Sequence, residues 1–444
     1  MTASHQDLLK AVEAGKTTVA VIGMGYVGLP LSLAATGAGF KVLGMDINEP
    51  RVKGLRAGKS PIRTVRDEEV AEANATGRFQ PETDFGKMAK ADLIIICVPT
   101  PLTRNREPDL SYIESSAEEI AKILKPGQLV VLESTTWPGT TQQIVKPILE
   151  KTGMKADKDF FLAYSPERED PGNSVYTTKK IPRVVGAAAK EAQDLAAAFY
   201  GRIVDKVVCV SSTETAEAVK LTENIFRSVN IALVNELKMI FTRFGIDTHE
   251  VIDAASSKPF GFMPFYPGPG VGGHCIPVDP FYLTWKAREV ELPTRFIELA
   301  GEINLYMPRY AIEVLTEALS RRLQKGLHGA KILLLGLAFK KNIEDVRESP
   351  ALRVFELLKE KGATVSFYDP FVDVLPTFHM PEAIAGEKSI VWDKPKLKGF
   401  DAAVILTDHD DIDYAAVASE VPVIVDTRNA MARRNLVSDK IFAA

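Results

Sequence analysis

The sequence predicts an α/β fold with two Rossmann-like, doubly wound domains joined by a helical central domain. Short apolar runs alternate with amphipathic stretches early in the chain and again near its end, the pattern of parallel sheets covered by helices. Between these regions lies one long helical run, where apolar residues recur about every 3.6 positions. Because 444 residues exceed one ordinary core, we expect two or three domains.

The expected elements follow in three blocks. In the first block, strands are expected at 17–23, 41–47, 92–101 and 128–135, with an amphipathic helix at 111–124. After "KVVCVSS" the pattern becomes one helical run from 213 to about 255, and a second helical stretch spans roughly 294–324. In the last block, strands are expected at 331–339, 364–370, 402–407 and 421–427. The sequence therefore predicts domain boundaries near 212 and 324.

The composition is typical of a soluble globular protein, with 46% hydrophobic and 25% charged residues. A net charge of −4 gives no global reason to expect a nucleic acid or an anionic membrane as partner. The N-terminus has no signal-like apolar run, and no window approaches the roughly 18 to 20 apolar residues of a membrane span. Three cysteines (Cys97, Cys209 and Cys275) argue against a disulfide framework. We therefore expect a cytoplasmic protein without a metal site.

The first domain opens with a glycine-rich turn, "VIGMGYVG". Gly23, Gly25 and Gly28 form a G-x-G-x-x-G that leaves a predicted strand and enters a predicted helix, where a pyrophosphate would approach the helix N-terminus. Asp46 follows about 20 residues later, where a carboxylate binds the adenosine ribose. Glycines alone would also suit close helix–strand packing. The combination predicts dinucleotide binding, with NAD favoured over NADP, although the nearby Arg51 argues the other way.

Three further stretches carry residues that chemistry could use. "CVPTP" places Pro99 and Thr100 at the carboxyl edge of a predicted strand, where open α/β sheets bind ligands. Cys97 and Cys209 are interpreted as core residues of their strands. In "FLAYSPERED", Glu167 is either a general acid/base or a surface carboxylate paired with Arg168.

The long helical run combines an apolar stripe with a polar pair. The stripe consists of Val219, Ile225, Val229, Ala232, Leu233, Leu237 and Ile240. Lys220 and Asn224 lie four residues apart and therefore share a face. Spacing alone leaves two interpretations open, a solvated polar face or part of a site.

A glycine- and proline-rich loop, "PGPGVGGHCIPVDP", presents a cysteine. Neither a helix nor a central strand favours this composition, because proline removes backbone donors and glycine costs entropy. Cys275 follows Gly272, Gly273 and His274, so its thiol is expected to be presented rather than packed.

Seven motifs together resemble one known family. "VIGMGYVGLP", "CVPTP", "YSPERE", "KLTEN", "GPGVGGHCIPVD", "GLAFKKNIEDVRESP" and "DTRN" resemble, in order, the motifs of the UDP-glucose/GDP-mannose dehydrogenase family. These enzymes oxidise the C6 alcohol of a nucleotide sugar to a carboxylate with two NAD+ in sequence. The resemblance implies an NAD-binding domain at 1–212, a helical dimerisation domain carrying the cysteine loop at 213–324, and a UDP-sugar-binding domain at 325–444.

The resemblance also implies roles for individual residues. Cys275 matches the nucleophile that forms a thiohemiacetal and then a thioester. Lys220 and Asn224 would stabilise an oxyanion, Asp279 would orient water or assist proton transfer, Glu167 would serve thioester hydrolysis, and Thr135 would position the water. Cofactor contacts fall on Gly23, Gly25, Tyr26, Val27, Gly28, Asp46, Arg51, Pro99, Thr100 and Thr135. Substrate contacts fall on Glu167, Lys220, Asn224, Tyr266, Gly272, Phe339, Lys340 and Arg428. His274 replaces the serine of other members, and either tunes the thiol or shapes the loop.

The last domain predicts a nucleotide site without a dinucleotide fingerprint, since "GLAF" carries only one glycine, Gly336. A basic loop follows it, with Lys340, Lys341 and Arg347, and then Ser349 and Pro350 as the cap and first residue of a helix. Such a loop suits a diphosphate, although a solvated charge run is the alternative.

The stretch before the cysteine loop bears on which sugar is oxidised. Its apolar residues are Phe260, Phe262, Met263, Phe265 and Tyr266. These side chains could contact the methyl group of an N-acetyl sugar. The alternative is that they belong to the hydrophobic core beneath a loop. We predict UDP-N-acetylglucosamine as preferred substrate, followed by UDP-N-acetylmannosamine and UDP-glucose, for synthesis of cell-surface polysaccharide precursors. A two-electron hydroxyacid dehydrogenase and a non-catalytic nucleotide-sugar sensor are the other classes considered.

Overall fold

The structure is a computed structural model that describes residues 5–62, 64–103, 107–168, 179–273, 276–377 and 380–444. It divides into two compact units. The first consists of Met1–Glu223 and Trp285–Leu292, and the second of Asn224–Thr284 and Pro293–Ala444. The chain passes from the first unit to the second within one long helix.

The first unit is built on a sheet that contains eight strands in the described part of the chain. The strands are β1 (Thr18–Ile22), β2 (Lys41–Met45), β3 (Phe79–Glu82), β4 (Leu93–Ile96), β5 (Leu129–Leu132), β6 (Phe161–Tyr164), β7 (Arg183–Ala187) and β8 (Val207–Val210). Their order is β3-β2-β1-β4-β5-β6-β7-β8, and the pairing is parallel except between β6 and β7. The central strands β1, β4 and β5 are apolar and buried on both faces, as a parallel sheet requires.

Helices connect these strands and cover both faces of the sheet. They are α1 (His5–Glu13), α2 (Gly28–Gly37), α3 (Glu49–Arg56), α4 (Asp67–Ala75), α5 (Ser111–Ile123), α6 (Lys146–Glu150), α7 (Lys190–Gly201) and the start of α8 (Thr213–Phe244). The core of this unit packs apolar residues of α2 and α7 against the sheet. This arrangement is a doubly wound α/β fold with β1 and β4 side by side, so the loops at their carboxyl ends are neighbours.

The second unit combines long helices with a smaller sheet. Its helices are the rest of α8, α9 (Thr248–Ser256), α10 (Asp279–Ala287) as far as residue 284, α11 (Arg295–Leu323), α12 (Pro350–Glu360) and α13 (Tyr414–Glu420). Its strands are β9 (Lys331–Leu335), β10 (Thr364–Tyr368), β11 (Ala402–Ile405), β12 (Ile424–Asp426) and β13 (Ile441–Ala443). Within the described residues they form a parallel sheet in the order β10-β9-β11-β12-β13. The predicted fold class, two Rossmann-like sheets and a helical region, is confirmed.

Three expectations about elements are wrong in detail. The strand expected over 92–101 ends at Ile96, so "CVPTP" is loop. The helical run expected to continue to about 255 is two helices, because Gly245 adopts a left-handed φ of +70° and Asp247 caps α9 by accepting from the His249 amide. Cys209 is exposed rather than core, since β8 is an edge strand. Cys97 is buried as expected.

No helix in the described part of the chain combines the length and the apolar content that crossing a membrane requires.

Candidate functional site

The glycine-rich turn after β1 gives each glycine a different physical role. A Cβ on Gly28 would overlap the carbonyl oxygen of Gly23, so Gly28 permits the tight turn itself. Gly23 adopts φ +96° and donates its amide to the Met45 carbonyl at 2.7 Å. A Cβ on Gly25 would meet no protein atom within 4 Å. The turn is therefore open at Gly25, just before α2 begins, where a phosphate group could approach backbone amides.

Asp46, at the carboxyl end of β2, is bonded to this turn. Its Oδ2 accepts from the Met24 amide at 2.9 Å and from Arg51 Nη1 at 2.8 Å, and its Oδ1 accepts from the Asn48 amide at 2.8 Å. The carboxylate is buried, and these three hydrogen bonds hold it in place. Arg51, which the sequence presented as a complication, is the ion-pair partner of Asp46.

Two loops at the carboxyl edge of the sheet are joined by a hydrogen bond. Thr100 donates its hydroxyl to the carbonyl of Thr135 at 2.8 Å, so the loops after β4 and β5 form one surface. The neighbouring Pro99 is exposed, as is Tyr26 in the glycine turn. These predicted cofactor residues follow the ends of adjacent strands β1, β4 and β5, where a dinucleotide would bind.

Lys220 and Glu167 form a buried pair in the first unit. Lys220 on α8 is 5% exposed, and its Nζ donates to the Glu167 backbone carbonyl at 2.5 Å. Nζ also lies 3.6 Å from Glu167 Oε2. Burial raises the pKa of Glu167, and the positive charge of Lys220 opposes that rise. Neither residue belongs to a solvated face, and Arg168 pairs with Glu223 rather than with Glu167.

A second buried pair, Asn224 and Asp279, lies in the second unit. Asn224 Nδ2 donates to Asp279 Oδ2 at 2.5 Å, and both side chains are no more than 5% exposed. Asp279 begins α10, four residues after the predicted nucleophile. The contact therefore fixes the end of the cysteine loop to α8.

Cys275 and His274 lie outside the described residues, but the glycines before them are described. Gly273 donates its amide to the Arg347 carbonyl at 3.2 Å. A Cβ on Gly272 would lie 2.7 Å from Phe339 Cβ and 2.9 Å from the Glu348 carbonyl oxygen. Gly272 and Gly273 therefore leave no room for a side chain on the side of the loop that faces Phe339. They allow the loop to pack directly on the chain after β9.

The predicted substrate residues of the second unit occupy one neighbourhood around this loop. Arg428 Nε donates to the Leu406 carbonyl at 2.8 Å, and a Cβ on Gly268 would overlap its guanidinium group. Burial lowers the pKa of Arg428. Phe339 and Lys340 follow β9, and the Phe339 side chain lies against Gly272 and Gly273. Tyr266 donates its hydroxyl to Asp253 at 2.5 Å and stacks on His249.

Part of the predicted basic loop is neutralised by local partners. Arg347 pairs with Asp345 at 2.6 Å, and Lys341 pairs with Asp410 at 2.7 Å. Ser349 caps α12 by accepting from the Ala351 amide at 3.3 Å, as predicted. Two of the basic residues in this loop are therefore already paired with acidic side chains.

Sequence reasoning missed a group of buried polar residues close to Glu167. Glu133, Arg183 and Tyr200 contact one another at the carboxyl-end side of β5 and the start of β7. The available signal was a charged residue, Glu133, directly after four apolar strand residues.

Comparison with known proteins decides the family. Models of the UDP-glucose/GDP-mannose dehydrogenase family match as the NAD binding domain at 17–204, the central domain at 214–306 and the UDP binding domain at 333–433. The chain belongs to this family. It is an NAD-dependent UDP-sugar dehydrogenase, so NAD is the cofactor and a UDP-sugar the substrate.

Individual relatives act on different sugars. A UDP-N-acetyl-D-glucosamine 6-dehydrogenase of Pseudomonas aeruginosa is 39% identical over 363 residues, 81% of this chain and 84% of the relative. A UDP-N-acetyl-D-mannosamine dehydrogenase of Pyrococcus horikoshii is 34% identical over 417 residues, 93% of this chain and 95% of the relative. The solved UDP-glucose dehydrogenase of Pyrobaculum islandicum is 28% identical with a TM-score of 0.84, covering 96% of this chain and 97% of that one.

The residues of the first unit fit NAD. The glycine turn is open at Gly25, where a pyrophosphate would fit, and the Asp46 carboxylate would accept hydrogen bonds from ribose hydroxyls. Within the described residues, no group of three or more His, Cys, Asp or Glu side chains is arranged to hold a metal ion.

Proposed function

We propose that this enzyme oxidises the C6 hydroxyl of a UDP-N-acetylhexosamine, preferably UDP-N-acetylglucosamine, to the carboxylate in two successive two-electron steps. The observation that carries this proposal is the buried polar side of α8. It presents Lys220 bonded to Glu167 and Asn224 bonded to Asp279. A simple core helix has no use for four such groups, because each costs free energy to desolvate.

The chain's own residues have the following proposed roles. The Cys275 thiolate adds to the intermediate aldehyde, which restores a tetrahedral carbon bearing a hydrogen. When bound, NAD+ would supply the hydride acceptor for each oxidation, and the second oxidation would leave a thioester on Cys275. Lys220 and Asn224 stabilise the negative charge that develops on the C6 oxygen.

Hydrolysis of the thioester requires a water and a proton acceptor. Glu167 takes the proton from this water, and Asp279 and Thr135 orient the reacting groups. The bond from Lys220 Nζ to the Glu167 carbonyl fixes the ammonium group beside the carboxylate. A raised pKa suits Glu167 to this role, because a stronger base accepts a proton more readily.

The N-acetyl preference rests on relatives and on exposed apolar residues. The names of two relatives give N-acetylglucosamine and N-acetylmannosamine as the sugar, and both sugars are N-acetylhexosamines. Phe260 and Met263 are 70% and 62% exposed, so they are not core beneath a loop. Such side chains are available to contact an acetyl methyl group.

The test is a panel of sugars with a count of reducing equivalents. UDP-N-acetylglucosamine, UDP-N-acetylmannosamine and UDP-glucose are each oxidised to completion with excess NAD+, and NADH is measured. We expect two NADH per sugar and the highest kcat/KM for UDP-N-acetylglucosamine, by tens of fold. One NADH per sugar would contradict the four-electron reaction. A higher kcat/KM for either other sugar would overturn the preference alone.

Cys275→Ser tests the covalent step. We expect loss of uronic acid formation with NAD+ binding retained, because an ester is cleaved less readily than a thioester. Cys209→Ser is the matched control, since Cys209 is exposed on β8 and has no proposed role. Full activity of Cys275→Ser would exclude the thioester route.

The remaining expectations are also proposals. We propose the division into NAD-binding (1–212), helical (213–324) and UDP-sugar-binding (325–444) domains, which the order of the three family matches supports. We propose a homodimer through the helical region and a cytoplasmic location. The product would serve as a precursor of cell-surface polysaccharide.

A further inference from the structure

A buried cluster in the first unit has no part in the reaction described above. Glu133 and Arg183 form an ion pair with both residues no more than 6% exposed, and the Tyr200 hydroxyl donates to Glu133. Cys97 Sγ lies 3.7 Å from Glu133 Oε2. Burying an ion pair costs several kcal/mol of desolvation per ion, so such a pair is weak as a source of stability.

Arg183 also anchors the segment that carries Glu167. Its Nε donates to Ser165 Oγ at 3.0 Å, and this hydroxyl donates to the Val184 carbonyl at 2.8 Å. On the other side of Glu167, Arg168 Nη1 donates to the Pro182 carbonyl at 2.6 Å. The chain around Glu167 is thus tied to the start of β7 on both sides.

We propose that Arg183 and Glu133 are a positioning pair for Glu167. Arg183 fixes the segment from Ser165 to Arg168 and directs its positive charge toward the carboxylate, and Glu133 holds Arg183 in place. This inference rests on the proposed role of Glu167 as the base in thioester hydrolysis.

A shared cavity brings these groups together. It has a volume of about 10 Å³, and its polar lining consists of Glu133, Glu167, Arg183 and Tyr200. This is roughly the space that one water molecule needs. Glu167 and the charged pair therefore border the same small cavity, whose other lining residues are the apolar Val27, Leu31, Ile203 and Val204.

The two members of the pair act on Glu167 in opposite directions. Burial is the largest influence and raises the pKa of Glu167, Lys220 and then Arg183 lower it, and Glu133 raises it. The neighbouring Cys97 and Tyr200 are neutral, because burial raises the pKa of each well above its ordinary value. Changing Arg183 or Glu133 should therefore move the ionisation of Glu167 in predictable and opposite ways.

The experiment measures uronic acid formation against pH for three variants. Arg183→Met removes the positive charge, so the acidic limb of the pH profile of kcat should move to higher pH. We expect a shift of about one pH unit, which is the lower end of the effect that a nearby opposite charge has on a carboxyl group. Loss of the negative charge in Glu133→Gln should move the acidic limb to lower pH. Arg183→Lys keeps the positive charge but loses the planar guanidinium group with its paired donors. We therefore expect a several-fold lower kcat, while the acidic limb of the pH profile stays almost where it is.

Controls separate this inference from a folding defect and from the proposed function. Arg202→Met removes an arginine that also bonds backbone carbonyls, those of Glu13 and Ala38, and should leave the limb in place. NAD+ binding and thermal unfolding show which variants are folded. If Arg183→Met does not fold, Glu133→Gln and Arg183→Lys still test whether the pair positions Glu167. The inference would be overturned if the acidic limb stays in place in Arg183→Met and Glu133→Gln, or if it moves in the same direction in both. If Glu167→Gln still forms the acid at the normal rate, the role of Glu167 fails and the inference fails with it.

Discussion

Asp46 has structural partners as well as a proposed ligand. The Met24 and Asn48 amides hold its carboxylate, and Arg51 neutralises it from the solvent side. A second negative charge from a 2′-phosphate would have to approach this carboxylate, although Arg51 would attract it. While Arg51 is paired with Asp46, repulsion by the carboxylate outweighs this attraction, and NAD is preferred over NADP.

Asp46→Ala should therefore narrow the preference for NAD over NADP. The change removes the acceptor for ribose hydroxyls and releases Arg51, so kcat/KM should fall for NAD and rise for NADP. Losing one charged hydrogen bond is worth about 1–3 kcal/mol, which corresponds to a change of tens of fold in the ratio. Steady-state kinetics with both cofactors measure it. In the double variant Asp46→Ala/Arg51→Ala, the increase in kcat/KM with NADP should disappear. Equal kcat/KM values for NAD and NADP in the unmodified enzyme would contradict the predicted preference.

Single residues also show what sequence alone can establish. The positions of Gly23, Gly25 and Asp46 in the fold could be predicted, because they depend on local spacing around one strand and one helix. The contact between Lys220 and Glu167 joins residues 53 positions apart, so only the fold reveals it. The partner of Arg347 within the basic loop was equally hidden, because charge in a sequence does not show which groups neutralise each other.

At the scale of elements, α8 buries an unusual number of polar residues beside its buried apolar ones. Its buried positions include Glu217, Lys220, Asn224, Asn235 and Lys238. Leu233 and Ile240, which periodicity placed in an apolar stripe, are exposed. Periodicity identified the helix correctly but could not show which side of it faces the protein, since both sides carry apolar residues.

Buried amides on two long helices support the cysteine loop. Asn235 Oδ1 accepts from the Gly268 amide at 3.0 Å, and Asn235 Nδ2 donates to Asn304 Oδ1 at 3.0 Å. Asn304 in turn donates to the Ser228 carbonyl at 3.1 Å. Because each buried amide is satisfied, the network fixes α8, α11 and the start of the loop relative to one another.

Glu217 on α8 predicts a pH dependence of stability. Its carboxylate accepts from the Gly139 amide at 2.5 Å and from the Thr141 amide at 2.9 Å, in the loop after β5. Burial nevertheless raises the pKa of Glu217 to about 7. A carboxyl group with a raised pKa in the folded state contributes stability that is present at low pH and is lost as the pH rises through about 7.

Replacing Glu217 with Gln should remove this dependence. Between pH 5 and pH 8 the free energy of unfolding of the unmodified enzyme should fall by on the order of 2 kcal/mol more than that of Glu217→Gln, because a tenfold difference in proton affinity between the folded and unfolded states is worth about 1.4 kcal/mol. Urea titrations at the two pH values measure the difference. Glu236→Gln, an exposed change on the same helix, is the control and should behave like the unmodified enzyme. The same fall in Glu217→Gln would exclude Glu217 as its source.

At the scale of the whole molecule, the two sheets use one design for different ligands. Asp369 ends β10 as Asp46 ends β2, and it accepts from the Leu337 and Ala338 amides at 2.7 and 3.1 Å. In the second unit, however, His409 lies 3.2 Å from Asp369 Oδ2 and is fully buried with it. Asp369 therefore contacts a histidine of the protein at the position where Asp46 is proposed to contact the ribose. The missing glycines after Gly336 are therefore consistent with a nucleotide site that is not a second dinucleotide site.

The exposed apolar residues of the second unit lead to a prediction about assembly. On α8, Phe226, Leu233 and Ile240 recur every seven residues and are each more than 40% exposed. On α11, Phe296 and Leu299 are 79% and 54% exposed. Monomeric proteins rarely expose so many large apolar side chains in one region, whereas a stable dimer buries about 800 Å² per partner. We therefore expect the unmodified enzyme to be a dimer through these helices.

Leu233→Glu/Ile240→Glu tests this assembly, because it places two charges on the face of α8 that the proposed dimer would bury. Burying unpaired carboxylates is costly, so we expect the variant to sediment as a monomer at concentrations where the unmodified enzyme is a dimer. Val391→Glu is the matched control, since Val391 is 87% exposed in the second unit and lies on neither helix. Analytical ultracentrifugation over a concentration series distinguishes the cases. An unmodified enzyme that stays monomeric, or a double variant that stays dimeric, would mean that these apolar residues serve another contact. The variant should also keep its far-ultraviolet circular dichroism, because neither side chain belongs to the buried core of its own chain.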